Sequence, residues 1–132
     1  MLNIGSVPAP LEWKHWKAAE ALLEPARVLG GFEAVIEPDE ALWVVMDGDE
    51  LLACATAWLG EGFVEVKLVG GRDYRRWLKP LDDVIGRAAA EAGATRLLAW
   101  GRSGWVKILR AHGWENQKMT DGDMAYSRRL EG

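Results

Sequence analysis

Four basic residues follow a pair of glycines midway along the chain. Gly70-Gly71 would permit a tight turn, and Arg72, Arg75, Arg76 and Lys79 behind it would bring charge to a phosphate through side chains. The same run also reads as a solvated helix face carrying its charges into water, as most charge runs do. A second candidate is Gly101-Arg102-Ser103-Gly104, where an apolar run gives way to a short helical pattern. Open α/β sheets take ligands at such strand-to-helix junctions. Arg102, with Trp105 after it, would hold an anion or a carboxylate there, or would pair with an acid such as Asp73 and fasten two loops together.

Other reactive side chains offer less. Cys54 is the only cysteine, so no intrachain disulfide and no cysteine-based zinc site can form. It stands in the apolar run Leu51-Leu-Ala-Cys-Ala-Thr-Ala57 and reads as a plain buried thiol. His112 precedes Gly113 at a helix end, where a histidine commonly meets the terminal carbonyls. His15 lies on a surface-type helix, and no Ser-His-Asp or Cys-His arrangement is suggested by spacing. Glu115, Asn116, Asp121 and Asp123 lack the ligand spacing of a calcium loop and read as a solvated turn.

The elements that must position these residues follow from periodicity. Residues 2–7 read as a first strand. Leu11 to Leu23 has roughly helical apolar spacing, with Pro25 interrupting it and Ala26 to Leu29 as an extension. Residues 32–40 have no regular pattern. Leu42 to Met46 and Glu50 to Trp58 form a hairpin about Asp47-Gly48. Phe63 to Val69 alternates, with Val64, Val66 and Leu68 on one face and Phe63, Glu65, Lys67 and Val69 on the other. Gly70-Gly71 breaks that strand and Asp73 is a plausible N-cap. The next helix carries Trp77, Leu78, Leu81, Ile85, Ala88, Ala89 and Ala92 on one face; Pro80 kinks it or marks its start, and Gly93 ends it. Thr95 to Trp100 reads as a buried strand, Ser103 or Gly104 to Ala111 as a short helix, and about 114–119 and 124–130 as two strands around an Asp121-Gly122 turn. The strand-helix-strand step over 63–100 implies a parallel pair. The class is α/β (α+β), a mixed, mostly antiparallel sheet with helices on both faces.

The 132 residues suit one domain. A net charge of −4 argues against general nucleic-acid binding, which needs a basic field. The start of the chain lacks the features of a signal peptide, and no run approaches a membrane span. The expected setting is the cytoplasm. Eight tryptophans are the compositional oddity; they either fill the core or, in part, anchor a partner.

The element order resembles a GNAT (acetyl-CoA-dependent N-acetyltransferase) domain. The stretch Trp105-Val-Lys-Ile-Leu-Arg-Ala-His-Gly-Trp114 is similar to the late GNAT helix and its exit. Leu42-Trp43, Gly70-Gly71-Arg72-Asp73 with Trp77-Leu78, and Gly101-Arg102-Ser-Gly104-Trp105 with Leu109 together resemble GNAT-like proteins of tailed bacteriophages and prophages, over roughly residues 40–130. The resemblance implies acetyl-CoA as cofactor, with its pyrophosphate near Gly70, Gly71, Arg72, Arg75 and Arg76. It also implies Glu65 as the base for the acceptor amine, although the strand alternation itself favours Glu65 as a plain polar partner.

Two departures stand against it. The family's cofactor loop, Arg/Gln-x-x-Gly-x-Gly/Ala, lets the backbone approach the anion; here no glycine follows Gly71 before Pro80. The family tyrosine that reprotonates the thiolate falls on Leu109, counted back from Gly113, and neither Tyr74 nor Tyr126 matches that position. The expectation is therefore a noncatalytic or degenerate phage-type protein serving virion assembly or binding a protein partner, the virion or itself. The alternative is an acetyl-CoA-dependent N-acetyltransferase with an atypical cofactor loop. A gap between strands 63–69 and 95–100 would favour the enzyme; a closed one would favour the module.

Overall fold

In a computed structural model of the chain, residues 1–101, 103–119 and 124–130 are described. The centre is the predicted meander. Strands β2 (Ala41–Asp47) and β3 (Glu50–Leu59) form an antiparallel hairpin, and Gly48, at φ 62°, turns it. β4 (Phe63–Gly71) returns antiparallel to β3, and β1 (Leu2–Val7) pairs with the outer edge of β2. A helix then crosses to β5 (Arg96–Gly101), which runs parallel to β4. β7 (Met124–Arg129) inserts between β5 and β6 (Glu115–Lys118). The result is a seven-stranded sheet in the order β1-β2-β3-β4-β5-β7-β6.

Helices cover both faces. On one face α1 (Trp16–Gly30) buries Ala19 and Leu23 against Leu42, Val44, Cys54 and Leu68. On the other, α2 (Tyr74–Glu91) buries Trp77, Leu81, Ile85 and Ala89 against Val45, Ala55, Val64 and Leu97. The six-residue α3 (Val106–Ala111), entered through a 3-10 turn at Ser103–Trp105, adds Val106 and Leu109 to the edge of that second layer. No helix among the described residues is long and apolar enough to cross a membrane.

Four expectations are corrected. Pro25 and Pro80 lie inside α1 and α2 and interrupt neither. An interior proline costs a helix about 3 kcal/mol, yet buried residues on both sides of Pro80 (Trp77 before it, Leu81 and Ile85 after) hold α2 to the sheet. Gly70 and Gly71 do not break β4; they are its last two residues, opposite Cys54 and Ala53. Leu68 does not share a face with Val64 and Val66, because a bulge at Lys67 turns it into the α1 layer. Finally, β5 is buried on one face only: Leu97 is fully covered, whereas Trp100 is 53% exposed. α1 lies over β3 and β4, so among the described residues no helix stands over the face of β5 opposite α2. The turn expected at Asp121-Gly122 lies outside the described residues.

Candidate functional site

The parallel ladder between β4 and β5 is short. It pairs Phe63 with Arg96, Val64 with Leu97, Glu65 with Leu98 and Val66 with Ala99, and ends there. β4 continues to Gly71 along β3, and β5 continues to Gly101 along β7. The two strands thus stop pairing at the Lys67 bulge, where β4 gains a residue and increases its twist. From Lys67 to Gly71 the β5-side edge of β4 presents backbone groups that no strand takes up among the described residues. Each such group demands a partner, from protein, water or ligand.

That edge leads into the start of α2. The turn is made at Asp73, not at the glycines: its φ of 56° is left-handed, a conformation aspartate tolerates better than most residues, and its side chain caps nothing. A Cβ on Gly70 would run into the Leu22 carbonyl, and one on Gly71 would stand 2.7 Å from the Leu52 carbonyl oxygen. Both glycines therefore serve close packing, Gly70 against α1 and Gly71 against β3. The Trp77 indole donates to the Arg72 carbonyl (2.5 Å) and pins the turn from inside.

The basic run divides. Arg72 donates to Glu50 at 3.2 Å and Arg76 to Asp47 at 2.9 Å, so both reach back to the β2–β3 hairpin. Arg76 beside it, chiefly by hydrogen bonding, holds the Asp47 carboxyl below the usual carboxylate range. Lys79 pairs with Asp83 one turn on. Arg75 instead lies over the Tyr74 ring, 5.6 Å from its centroid, with no carboxylate partner among the described residues. Of the arginines the sequence singled out here, Arg75 is the one left to meet a ligand.

Glu65 faces away from α2. Its neighbour across β3 is Trp58, whose indole N–H donates to Glu65 Oε1 at 2.6 Å. Trp58 in turn meets Phe63 edge-on, with centroids 5.2 Å apart. On β5 the partner of Glu65 is Leu98, and Trp100 is the next residue along on the same face. One carboxylate thus sits at the head of the unpaired segment, oriented by an indole and flanked by apolar surface. The strand alternation located Glu65; the Trp58 donor was not legible, because it depends on the register of β3 against β4.

A second feature was missed entirely. Lys67, the bulge residue, reaches Glu40 with 2.8 Å contacts to both carboxylate oxygens, and their side chains are only 9% and 4% exposed. The ammonium also lies 4.8 Å from the centroid of the Phe32 ring. The Glu37 amide donates to the same carboxylate at 2.6 Å. This pair straps the irregular segment 32–40 onto β4 where pairing with β5 ends.

Leu109 packs against the α2-side core and offers no proton. Tyr74 stands at the start of α2, edge-on to the half-buried Trp105 at 5.8 Å. Tyr126 is buried opposite Ala99, and burial raises its phenol above the ordinary value. Arg102 lies outside the described residues. His112 does not meet helix carbonyls through its ring: its Nδ1 is buried without a partner. Among the described residues, no group of three or more His, Cys, Asp or Glu could hold a metal ion.

The sequence matches no protein-family profile and no curated protein. Solved structures do match across essentially the whole chain. A Klebsiella pneumoniae protein provisionally classed as an acyl-CoA N-acyltransferase superposes with a TM-score of 0.78 at 14% identity, covering 99% of each chain. A GNAT family acetyltransferase from Elizabethkingia anophelis, solved with acetyl-CoA bound, gives 0.70 at 14% identity and 98% of each chain. Tetrahymena GCN5 gives 0.76 at 10% identity, over 98% of this chain and 96% of its own. The chain has the GNAT acetyltransferase fold.

Proposed function

We propose that the chain is an acyl-CoA-dependent N-acyltransferase, with the interrupted β4–β5 ladder as its cofactor entry. That interruption is the observation carrying the reading. An extended chain bearing amides can hydrogen-bond to the edge of β4 from Lys67 to Gly71 in the manner of an added strand, and its phosphates would then reach the start of α2. There the Tyr74 and Arg75 amides have no acceptor among the described residues. The helix dipole and the Arg75 guanidinium favour an anion at that end. The residues present fit acetyl-CoA, although without the family's glycine-lined loop. Acetyl-CoA, when bound, supplies the acyl thioester. Neighbouring proteins of the same fold support the cofactor class, one of them having been solved with acetyl-CoA.

The chain's own contribution is at Glu65. A primary amine approaching over Leu98 and Trp100, on the face opposite α2, meets the only carboxylate on the paired half of β4. Glu65 accepts the proton that the amine sheds, directly or through one water, while Trp58 fixes the carboxylate by its indole N–H. Leu109 has no proton to give; Tyr126, whose phenol burial raises above its ordinary value, is the phenol that β-register brings nearest the end of the ladder and would be the donor to a departing thiolate.

The reading as a noncatalytic, phage-type module for virion assembly or partner binding draws support from Leu109 and from the hairpin carboxylates that occupy Arg72 and Arg76. The open ladder weighs more, since a module has no need of it. Calorimetric titration with acetyl-CoA separates the two. Micromolar binding that Arg75→Ala weakens, with amide shifts along residues 67–75, supports the transferase. Absence of heat at millimolar acetyl-CoA sinks it in favour of the module.

A further inference from the structure

The same helix borders a second concavity far from the interrupted ladder. A cleft of about 750 Å³ lies between the later part of α2 and the corner formed by the end of α3 and β7. The Arg128 side chain lines it. Arg128 uses Nη2 on Asp82, contacting the carboxylate at 3.4 Å and the backbone oxygen at 3.2 Å. Any side chain at Gly86 would collide with that guanidinium, so α2 is notched by a glycine where the arginine crosses. A Cβ on Gly113 would stand 3.9 Å from Arg128 Cδ, which places the arginine stem beneath the His112–Gly113 turn.

Two polar atoms belonging to residues that line this cleft lack partners among the described residues. Arg128 Nε and His112 Nδ1 are both buried and find no hydrogen-bond partner among the described residues. A buried polar atom without a partner carries its full desolvation cost, so such groups call for a ligand, an ion or a water. The surrounding charge indicates the sign of that ligand. Arg87 and Arg129 line the cleft, and the Asp83 carboxylate is already engaged by Lys79. Among the described residues, Glu91 is the remaining carboxylate there. Two guanidinium groups against one free carboxylate give a site that attracts anions.

We infer that this cleft is a binding site for a small oxyanion, a carboxylate or a phosphate. One oxygen accepts from Arg128 Nε and another from His112 Nδ1–H, with Arg87 closing over the outer side. The site is separate from the acyltransferase reading and stands whether or not that reading holds.

The test uses the full chain, ¹⁵N-labelled, titrated at constant ionic strength with inorganic phosphate in one arm and succinate in the other. Saturable shifts are expected at the Gly86 and Gly113 amides and at the Arg128 Nε–H, in at least one arm. The tighter arm tells phosphate from carboxylate. Arg87→Ala and His112→Phe, both outside the Asp82–Arg128 pair, should each weaken binding about fivefold or more, as the loss of a charge-assisted or buried hydrogen bond would. Shifts that never saturate, shifts confined to Tyr74 and Arg75, or affinity unchanged in either variant would overturn the assignment.

Discussion

Two sets of ion pairs flank the unpaired half of β4, and they differ in kind. On the α1 side, Lys67 and Glu40 are buried, joined through both carboxylate oxygens and backed by the Phe32 ring. On the α2 side, Arg72–Glu50 and Arg76–Asp47 lie in water, with side chains between about a third and two thirds exposed. A buried charge cannot leave its partner without great cost, so Lys67–Glu40 fixes the geometry of segment 32–40 against the strand. An exposed pair contributes little and exchanges partners readily. Its arginines can therefore be traded from the hairpin to an incoming anion. One side of the site is a fixed wall and the other an adjustable one.

Breaking the fixed wall gives the largest expected effect. Lys67→Met leaves the Glu40 carboxylate buried and alone, and should cost about 3–5 kcal/mol in chemical denaturation. Combining it with Glu40→Leu should restore most of that loss. If the single substitution cost under about 1 kcal/mol, in the range of a surface pair, the contrast between the two walls would collapse.

Glu65 tests whether the fixed wall serves chemistry. Under the transferase reading, Glu65→Gln should lower kcat/KM by about 10²–10⁴-fold while leaving acetyl-CoA affinity unchanged. Thiol release from acetyl-CoA in the presence of an amine panel reads the first, calorimetry the second. Trp58→Phe, which keeps the ring and removes the N–H, should reproduce a small part of the loss. An equal loss of cofactor affinity in Glu65→Gln would place Glu65 in binding and not in proton transfer.

The layer beneath the fixed wall also carries Cys54. Burial pushes its thiol from 9.0 up to about 12, and its Sγ lies 3.6 Å from the Ala19 carbonyl oxygen. The folded thiol stays neutral while the unfolded one ionises from its ordinary value. Stability should thus be fully present below pH 9.0 and fall above it, by about 1.4 kcal/mol per pH unit, until the folded thiol ionises near 12. Cys54→Ala should remove that slope, and native Cys54 should resist alkylation. Rapid labelling of the folded protein would show the α1 layer to be less closed than described.

Much of this was legible in the sequence and some could not be. The hairpin at Asp47-Gly48, the parallel step from β4 to β5 and the alternation that located Glu65 all follow from local patterns. The bulge at Lys67 does not, because it exists only in the register of β3 against β4, and it reverses the side on which Leu68 packs. The partner of Lys67 lies 27 residues away, in a segment with no periodicity to read. The glycine pair invited a phosphate-loop reading, yet each glycine answers to a backbone packed beside it. The exposure of Trp100 depends on where α1 ends up over the sheet, and composition alone predicted the opposite.

The adjustable wall gives the smallest effect and the sharpest test of the contrast. Asp47→Asn with Glu50→Gln releases Arg76 and Arg72 from the hairpin. Lowering the pH would be a poor substitute, since Arg76 already holds the Asp47 carboxyl below its ordinary range. In the double variant both arginines face the start of α2 without competition. Acetyl-CoA affinity should then rise a few-fold, as expected for exposed pairs of little intrinsic strength, and the gain should shrink as salt is added. A fall in affinity would mean that the hairpin carboxylates orient the arginines for the ligand. The exposed side would then be a preformed part of the site, and its difference from the Lys67–Glu40 side would be one of burial alone.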